Sequence, residues 1–319
     1  MPRPISPENY MRAVDALKKY GSAGAAAEAL EMPRSTFRDW IKAAKLYGVE
    51  MPVRHEWTYP EHIHLDLKSC TVLVGGDSHF WPGQTSLVYD AFVDVAKYIK
   101  PQAIIMNGDL IDGTRVSRHG RLRNQAAPRV KDELDEAKRQ LGRLPIVKHR
   151  IITLGNHDQR LDHYLANMAP EADDCAAGLA DWFHGWDLGY AVMINQAPGI
   201  IPCEVRHYYR MGIHARWNNA VYSGIHIVTN HTHGLGVTPF NNRMGRIYGV
   251  EPGMLNWNDA VQFEYHQGMQ SRAHAGFAVL TFDEKGNLLP PEIAEFVHGK
   301  LMFRGMSWGF GKPRTRVAA

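Results

Sequence analysis

Four short polar clusters, each preceded by an apolar run, follow one another along this 319-residue chain. They are Asp77-Ser78-His79, Gly108-Asp109-Leu110-Ile111-Asp112, Gly155-Asn156-His157-Asp158 and Asn230-His231-Thr232-His233. Oxygen donors from Asp and Asn mixed with imidazoles suit Mn, Fe, Zn or Ni, and the absence of thiolate pairs argues against a structural Cys-type zinc site. Taken together the clusters predict one dinuclear metal site, with metal-assisted phosphoester hydrolysis as its chemistry.

The elements that must position these residues are legible beside them. Val72-Leu73-Val74, Ile104-Ile105-Met106 and Ile151-Ile152-Thr153-Leu154 are short β-rich runs of the kind buried on both faces. Each stops just before its acidic or His residues, which puts the ligands on loops at strand C-termini. Helical candidates between them, about Ser86 to Tyr98 and Val130 to Leu144, predict repeated strand–helix–strand units and a largely parallel arrangement. In open α/β sheets that edge is where ligands bind. Farther on, Gly276 to Phe282 followed by Lys285-Gly286-Asn287 reads as a hairpin of the scaffold.

The order of the four clusters resembles that of the calcineurin-like metallophosphoesterases, D-x-H, G-D-x-x-D, G-N-H-D/E, a lone His, then G-H-x-H, over about Cys70 to Phe282. The resemblance implies an α/β fold, a four-layer α/β/β/α sandwich of two face-to-face sheets with helices outside. By position it assigns Asp77, His79 and His233 to one metal, Asn156, His214 and His231 to the other, and Asp109 as the bridge. Two divalent ions about 3.5–4 Å apart need a shared anionic ligand, and two carboxylates leave such a pair cationic enough to attract phosphate. A bridging water acidified by both metals is the implied nucleophile. His157, next to the ligand Asn156, would protonate the leaving oxygen, with Asp112 orienting it through its other ring nitrogen or simply capping the loop. The lone His is His207, His214 or His226. His214 is favoured because Gly212-Ile213-His214-Ala215 follows a strand-like stretch and leads into a polar turn at Asn218-Asn219. Asn230 stands where the family usually has Gly, and Asn tolerates a left-handed backbone better than most residues.

Positive charge is dense between Arg115 and Arg150, with eleven Lys or Arg against four Asp or Glu. The loop part, Arg115, Arg118, His119, Arg121 and Arg123, follows the bridging motif and predicts phosphate binding, with Arg118 and His119 as substrate contacts. The later charges, Lys131 to Arg143 with Asp132, Glu133, Asp135 and Glu136, read as the solvated face of a helix. Arg160 either contacts phosphate or forms an ion pair that steadies the loop beside Asp158. Most other histidines of the 17, such as His55, His62, His64 and His184, are given no role.

The first fifty residues predict a separate trihelical unit. Ser6-Pro7-Glu8 starts a helix on which Met11, Val14 and Leu17 share a face, and a short Ala-rich segment follows Ser22. Ser35 then opens a third helix with Phe37, Trp40, Ile41 and Ala44 inward and Arg34, Arg38, Lys42 and Lys45 outward. The pattern resembles small helix-turn-helix units of transposase and recombinase regulators, which implies DNA contacts by Arg34, Arg38 and Lys42. Eight Lys or Arg against six Asp or Glu in residues 1–50 leave a net of only +2, so docking or oligomerisation stays open beside DNA binding.

Domains are therefore expected at 1–48, 49–68 as a linker with Pro52 and Pro60, and 69–319. With 45% apolar residues the chain can bury one large core and carry one small appended domain. No apolar stretch approaches a membrane span, no secretory signal is evident, and three unevenly spaced cysteines, Cys70, Cys175 and Cys203, suit a reducing compartment, so a cytoplasmic protein is expected. Wording around Trp217-Asn218-Asn219 and Val237-Thr238-Pro239-Phe240 is similar to phosphoesterases of bacteriophages and prophages, which implies a bacterial or phage-infected cell. The expected function is two-metal phosphodiester hydrolysis on nucleic acid, with Mn favoured. The alternatives are a small-nucleotide phosphodiesterase or phosphoprotein phosphatase, and a non-catalytic DNA-binding regulator.

Overall fold

Small side chains let three helices close on one another at the N-terminus: α1 (Pro7–Tyr20), α2 (Ala23–Ala29) and α3 (Arg34–Leu46). Ala13, Ala16, Ala26, Ala27 and Phe37 form one core and Tyr10, Val14 and Ala44 a second, with Trp40 and Ile41 packed against both. Met11, expected on the inner face, is exposed, and Tyr10 is buried in its stead, its ring stacked on Tyr47. In this computed structural model, which describes residues 5–20, 23–49, 59–118, 126–168, 178–256, 273–308 and 314–316, these helices belong to one compact unit, 1–58, and everything after belongs to another, 59–319.

The second unit begins inside the expected linker. Tyr59 and Leu67 are buried, and β1 (Ile63–Leu65) pairs in parallel with a later strand, so residues 59–68 are part of the scaffold. Then come β2 (Cys70–Gly75), α4 (Leu87–Ile99), β3 (Ala103–Asn107), α5 (Val130–Leu141) and β4 (His149–Thr153). Ser86 caps α4 by accepting the Tyr89 N–H, and Lys100 ends it in the left-handed conformation. The chain continues through α6 (Arg160–Met168), β5 (Asp187–Gly189), β6 (Ala191–Ile194), β7 (Cys203–Arg206), α7 (Ala215–Ser223), β8 (His226–Thr229), β9 (Leu235–Asn242) and β10 (Gly245–Pro252). It closes with β11 (Gly276–Phe282), β12 (Glu292–Val297), β13 (Lys300–Phe303), β14 (Met306–Trp308) and β15 (Arg314–Arg316).

Two sheets result. One runs β15-β14-β13-β12-β11-β2-β3-β4-β5, parallel from β2 to β5, and the other runs β1-β6-β7-β8-β10-β9. Alternation along the central strands feeds two cores. Val72, Val74, Ile105 and Ile151 meet Val192, Val205, Val228 and Val250 between the sheets, while Leu73, Ile104, Met106 and Ile152 meet Phe92, Leu134 and Leu141 from α4 and α5 outside. Each such fully buried side chain contributes roughly 1.5–3 kcal/mol. On the far face of the smaller sheet, Ala220 of α7 packs on Ile227 and Ile247. The order of layers is helix, sheet, sheet, helix, an α/β sandwich. The helices expected near Ser86–Tyr98 and Val130–Leu144 and the β11–β12 hairpin are present with small shifts at their ends.

Candidate metal centre

The loops leaving β2 and β3 run side by side. Asp77 N donates to Gly108 O at 3.0 Å and His79 N to Asp109 O at 2.9 Å, continuing the parallel pairing past the strand ends. Asp77, His79, Asp109, His231 and His233 all have positive φ, between 40° and 69°, and are five of the eleven such non-glycine residues among those described. Each left-handed residue of this kind costs about 1–3 kcal/mol and persists only where surroundings impose it. Gly108 and Gly155 supply the close approaches: a Cβ on Gly108 would lie 2.3 Å from His207 Nδ1, and one on Gly155 2.1 Å from Asp109 Oδ1.

Three groups of donor atoms, each within 4.8 Å of one another, converge at the strand ends: Asp77 with His79 and His233, Asp109 with His207 and His231, and His79 with Asp109 and His157. Asp109 Oδ2 lies 3.1 Å from His207 Nε2 and 3.9 Å from both His79 Nε2 and His157 Nε2, and Asp77 Oδ1 lies 3.5 Å from His233 Nε2. Asp77 Oδ1 and Asn156 Oδ1 are buried with no hydrogen-bond partner among the described residues. An orphaned buried oxygen costs about 1–3 kcal/mol unless something meets it, and a cation would. Burial opposes the charges of Asp77 and Asp109, yet His233 and His207 hold the first carboxyl below its usual range and His207 and His157 hold the second well below it. Burial likewise opposes the imidazolium of His207, but Asp109 and Asp77 outweigh it and push the ring up to about 10. The converging carboxylates and imidazoles, with the two orphaned oxygens of Asp77 and Asn156, fit a pair of divalent metals.

His207, not His214, is the histidine brought into this cluster. It follows β7 directly, is fully buried, and its Nδ1 donates to Asn107 O at 2.8 Å, which turns Nε2 toward Asp109. His214 is exposed at the start of α7, because the stretch before it is a surface loop and not a strand. The strand before His207, Cys203-Glu204-Val205-Arg206, carries two charged residues, so no apolar run marked this histidine in the sequence.

His157 is held on both ring nitrogens. Nδ1 lies 2.9 Å from Asp112 O and 3.1 Å from Asp112 Oδ1, and Nε2 lies 3.1 Å from an Arg160 guanidinium nitrogen. Burial works against protonation of this ring, but Asp109 and Asp112 prevail and its pKa is raised. Asp112 also approaches His79 Nδ1 at 3.4 Å and accepts the Thr114 hydroxyl; burial disfavours its charge, but His157 and His79 keep it ionised. Arg160 donates to Asp112 O at 2.6 Å, so its ion-pair partner is Asp112 at 3.8 Å rather than Asp158.

Several supports carried no motif signal. Asp158 accepts the N–H groups of Asp109, Leu110 and Gly155, tying two ligand loops together, while burial and Asp109 push it up to about 6. Glu133, expected on a solvated face, is buried and accepts the N–H groups of Asp112 and Gly113 at 2.9 and 2.7 Å; burial raises it to about 7. Its helix neighbours do form the expected surface pairs, Lys131 with Asp135 and Arg139 with Glu136. Asn230 is also a different device from a permissive turn residue. Its φ is not positive, and its buried amide accepts from Asn107 and donates to Asp77 Oδ2 at 3.0 Å and to Gly253 O at 2.7 Å.

Beside Asn156 opens a cavity of about 880 Å³ lined by Arg118, Arg160, Tyr164 and Tyr208 among others. Arg118 is exposed there, and His119 lies outside the described residues, as do Arg121 and Arg123. In the N-terminal unit Lys42 is exposed, 4.0 Å from Asp39, while the side chains of Arg34 and Arg38 fall outside what the structure describes.

Residues 70–317 match the calcineurin-like phosphoesterase family. The chain belongs to that family. Calcineurin-like phosphoesterases are hydrolases, and the Asp and His cluster here lies within the matched region. Among solved structures, the chain is similar to Yfce, a phosphoesterase from E. coli, at 11% identity over 69% of this chain and 97% of that one, with a TM-score of 0.32. It is also similar to a dimetal phosphatase from Danio rerio at 13% identity over 72% of this chain and 100% of that one, with a TM-score of 0.35. No curated protein matches it. No helix among the described residues is long and apolar enough to cross a membrane.

Proposed function

We propose that this calcineurin-like phosphoesterase is a phosphodiesterase that acts on nucleic acid with two divalent metals, Mn favoured by the mixed oxygen and imidazole donors. Asp77, His79 and His233 would hold one ion, Asn156, His207 and His231 the other, and Asp109 both. Such a pair supplies Lewis-acid polarisation of the phosphoryl oxygens and a water acidified toward neutral pH. The observation that carries the reading is His157, whose Nε2 faces Asp109 Oδ2 at 3.9 Å while Nδ1 is anchored on Asp112. That anchoring orients the ring and lets its protonated form donate from Nε2 to a departing alkoxide. Arg160, already on His157 Nε2, releases it to meet a phosphate oxygen, and Arg118 in the adjoining cavity adds positive charge where the rest of a diester would lie.

The N-terminal helices serve as a helix-turn-helix that delivers the catalytic unit to DNA, with Arg34, Arg38 and Lys42 toward phosphates. The test is to offer the metal-loaded protein single-stranded DNA, duplex DNA, cyclic nucleotides, a phosphopeptide and a nitrophenyl diester. Cleavage of DNA is expected. His157→Asn should slow diesters with poor leaving groups by about 10²–10⁴-fold and the nitrophenyl diester far less, since its leaving group hardly needs a proton. Equal losses on both would remove His157 as the acid, and activity confined to the phosphopeptide would replace the nucleic-acid reading.

A further inference from the structure

From Val205 to Val250 the chain holds five arginines and no Asp, Glu or Lys, a run of 46 residues with net charge +5 that contains three of the metal-site histidines. Its first part is also rich in aromatic surface. Tyr208 is 44% exposed, Tyr209 40%, Trp217 46% and Tyr222 57%, although rings of this size are ordinarily turned inward. These rings begin at the metal centre: Tyr208 lies 5.8 Å from the His231 ring, and Met211 Sδ lies 3.0 Å from His231 Nε2.

The arginines are interleaved with the rings. Arg206 lies over Tyr209 at 5.4 Å and Arg210 over Tyr222 at 3.6 Å, and the Arg210 N–H donates to Asn219 Oδ1, joining the loop to α7. Arg206 has an acidic partner in Glu204, itself buried, while Arg210 is held by the Tyr222 face. Flat rings and guanidinium planes exposed in alternation suit unstacked bases and the phosphates between them, because every base has a face to stack and every linkage a charge to neutralise. A duplex keeps its base faces hidden and could use only the charge.

We infer that the Tyr208–Tyr222 surface is a binding platform for single-stranded nucleic acid, leading a strand outward from the metal centre. This deepens the nucleic-acid reading above and rests on it. Binding of a fluorescein-labelled phosphorothioate oligothymidylate, which resists cleavage, is read by anisotropy on the full-length, metal-loaded protein, beside a duplex of equal length. Tyr209→Ala combined with Tyr222→Ala should weaken oligothymidylate binding by roughly 5- to 150-fold per ring that stacks a base, with duplex affinity unchanged. Arg210→Ala should also make the salt dependence shallower by roughly 0.7 in log–log slope for each phosphate no longer neutralised. Melting temperatures within a degree or two of the parent show that the variants are folded, and an exposed Tyr98→Ala serves as the comparison ring. Oligothymidylate affinity within twofold of the parent in the double variant would overturn the platform, as would equal losses on duplex. A parent protein that binds oligothymidylate through these rings but hydrolyses no diester would overturn the proposed reaction and leave the platform standing.

Discussion

At the scale of single residues, His207 and His214 are seven positions apart and both precede polar stretches, yet only one ring reaches the carboxylates. A ligand imidazole needs its second nitrogen fixed so that the first presents a lone pair, and Asn107 O does that for His207. His207→Ala should therefore lower metal content from two ions to about one per chain and abolish turnover, whereas His214→Ala should keep both ions. Metal analysis after desalting decides this, and two retained metals in His207→Ala would reject the assignment. Asn230, Asp158 and Glu133 show the same principle one layer out: each uses its oxygens or amide to hold a loop whose left-handed residues would otherwise relax.

Elements contribute a pH dependence of their own. His226 opens β8, buried, with its ring stacked on Tyr248 and its Nδ1 accepting the Tyr248 N–H of β10 at 3.1 Å. Burial pushes its pKa down to about 4, whereas an unfolded histidine titrates near ~6.5. Because the folded value is the lower one, the unfolded chain takes up the proton first, so stability is whole above pH ~6.5 and is lost as pH falls toward 4. The loss from this group should reach about 2 kcal/mol by pH ~5. His226→Gln, which keeps an acceptor for Tyr248, should flatten the fall in unfolding free energy from urea titrations between pH ~6.5 and ~5 by that amount. Parallel curves for parent and variant would show that His226 titrates normally in the fold.

The whole molecule is two units with separate cores, and no candidate ligand precedes Asp77. Since both sheets and all the ligand loops lie in 59–319, a chain beginning at Tyr59 should hydrolyse a nitrophenyl diester at close to the full-length rate. Its duplex affinity should fall, and the salt dependence of that affinity should become shallower, because the cations of the helical unit no longer neutralise phosphates. Anisotropy at several salt concentrations measures both. Unchanged affinity and slope would reduce the helical unit to docking or oligomerisation.

Local pattern singled out the motif residues Asp77, His79, Asp109, Asn156, His157, His231 and His233, to which the family resemblance gave roles, and the strands before the first three clusters, because buried parallel strands are short β-rich runs and the polar motifs follow their ends without interruption. Local pattern could not choose His207 over His214. That choice depends on where β7 lies beside β8 and on a carbonyl of β3, 100 residues away in sequence. It could not bury Glu133 either, for a carboxylate on a charged helix reads as solvated until the Asp112 and Gly113 amides are brought against it. The exposed rings of Tyr208, Tyr209 and Tyr222 would by composition alone belong inside. The tertiary structure leaves Tyr208 and Tyr209 outside, in the stretch between β7 and α7, and turns Tyr222 outward because α7 buries Ala215, Asn219 and Ala220 on its other side.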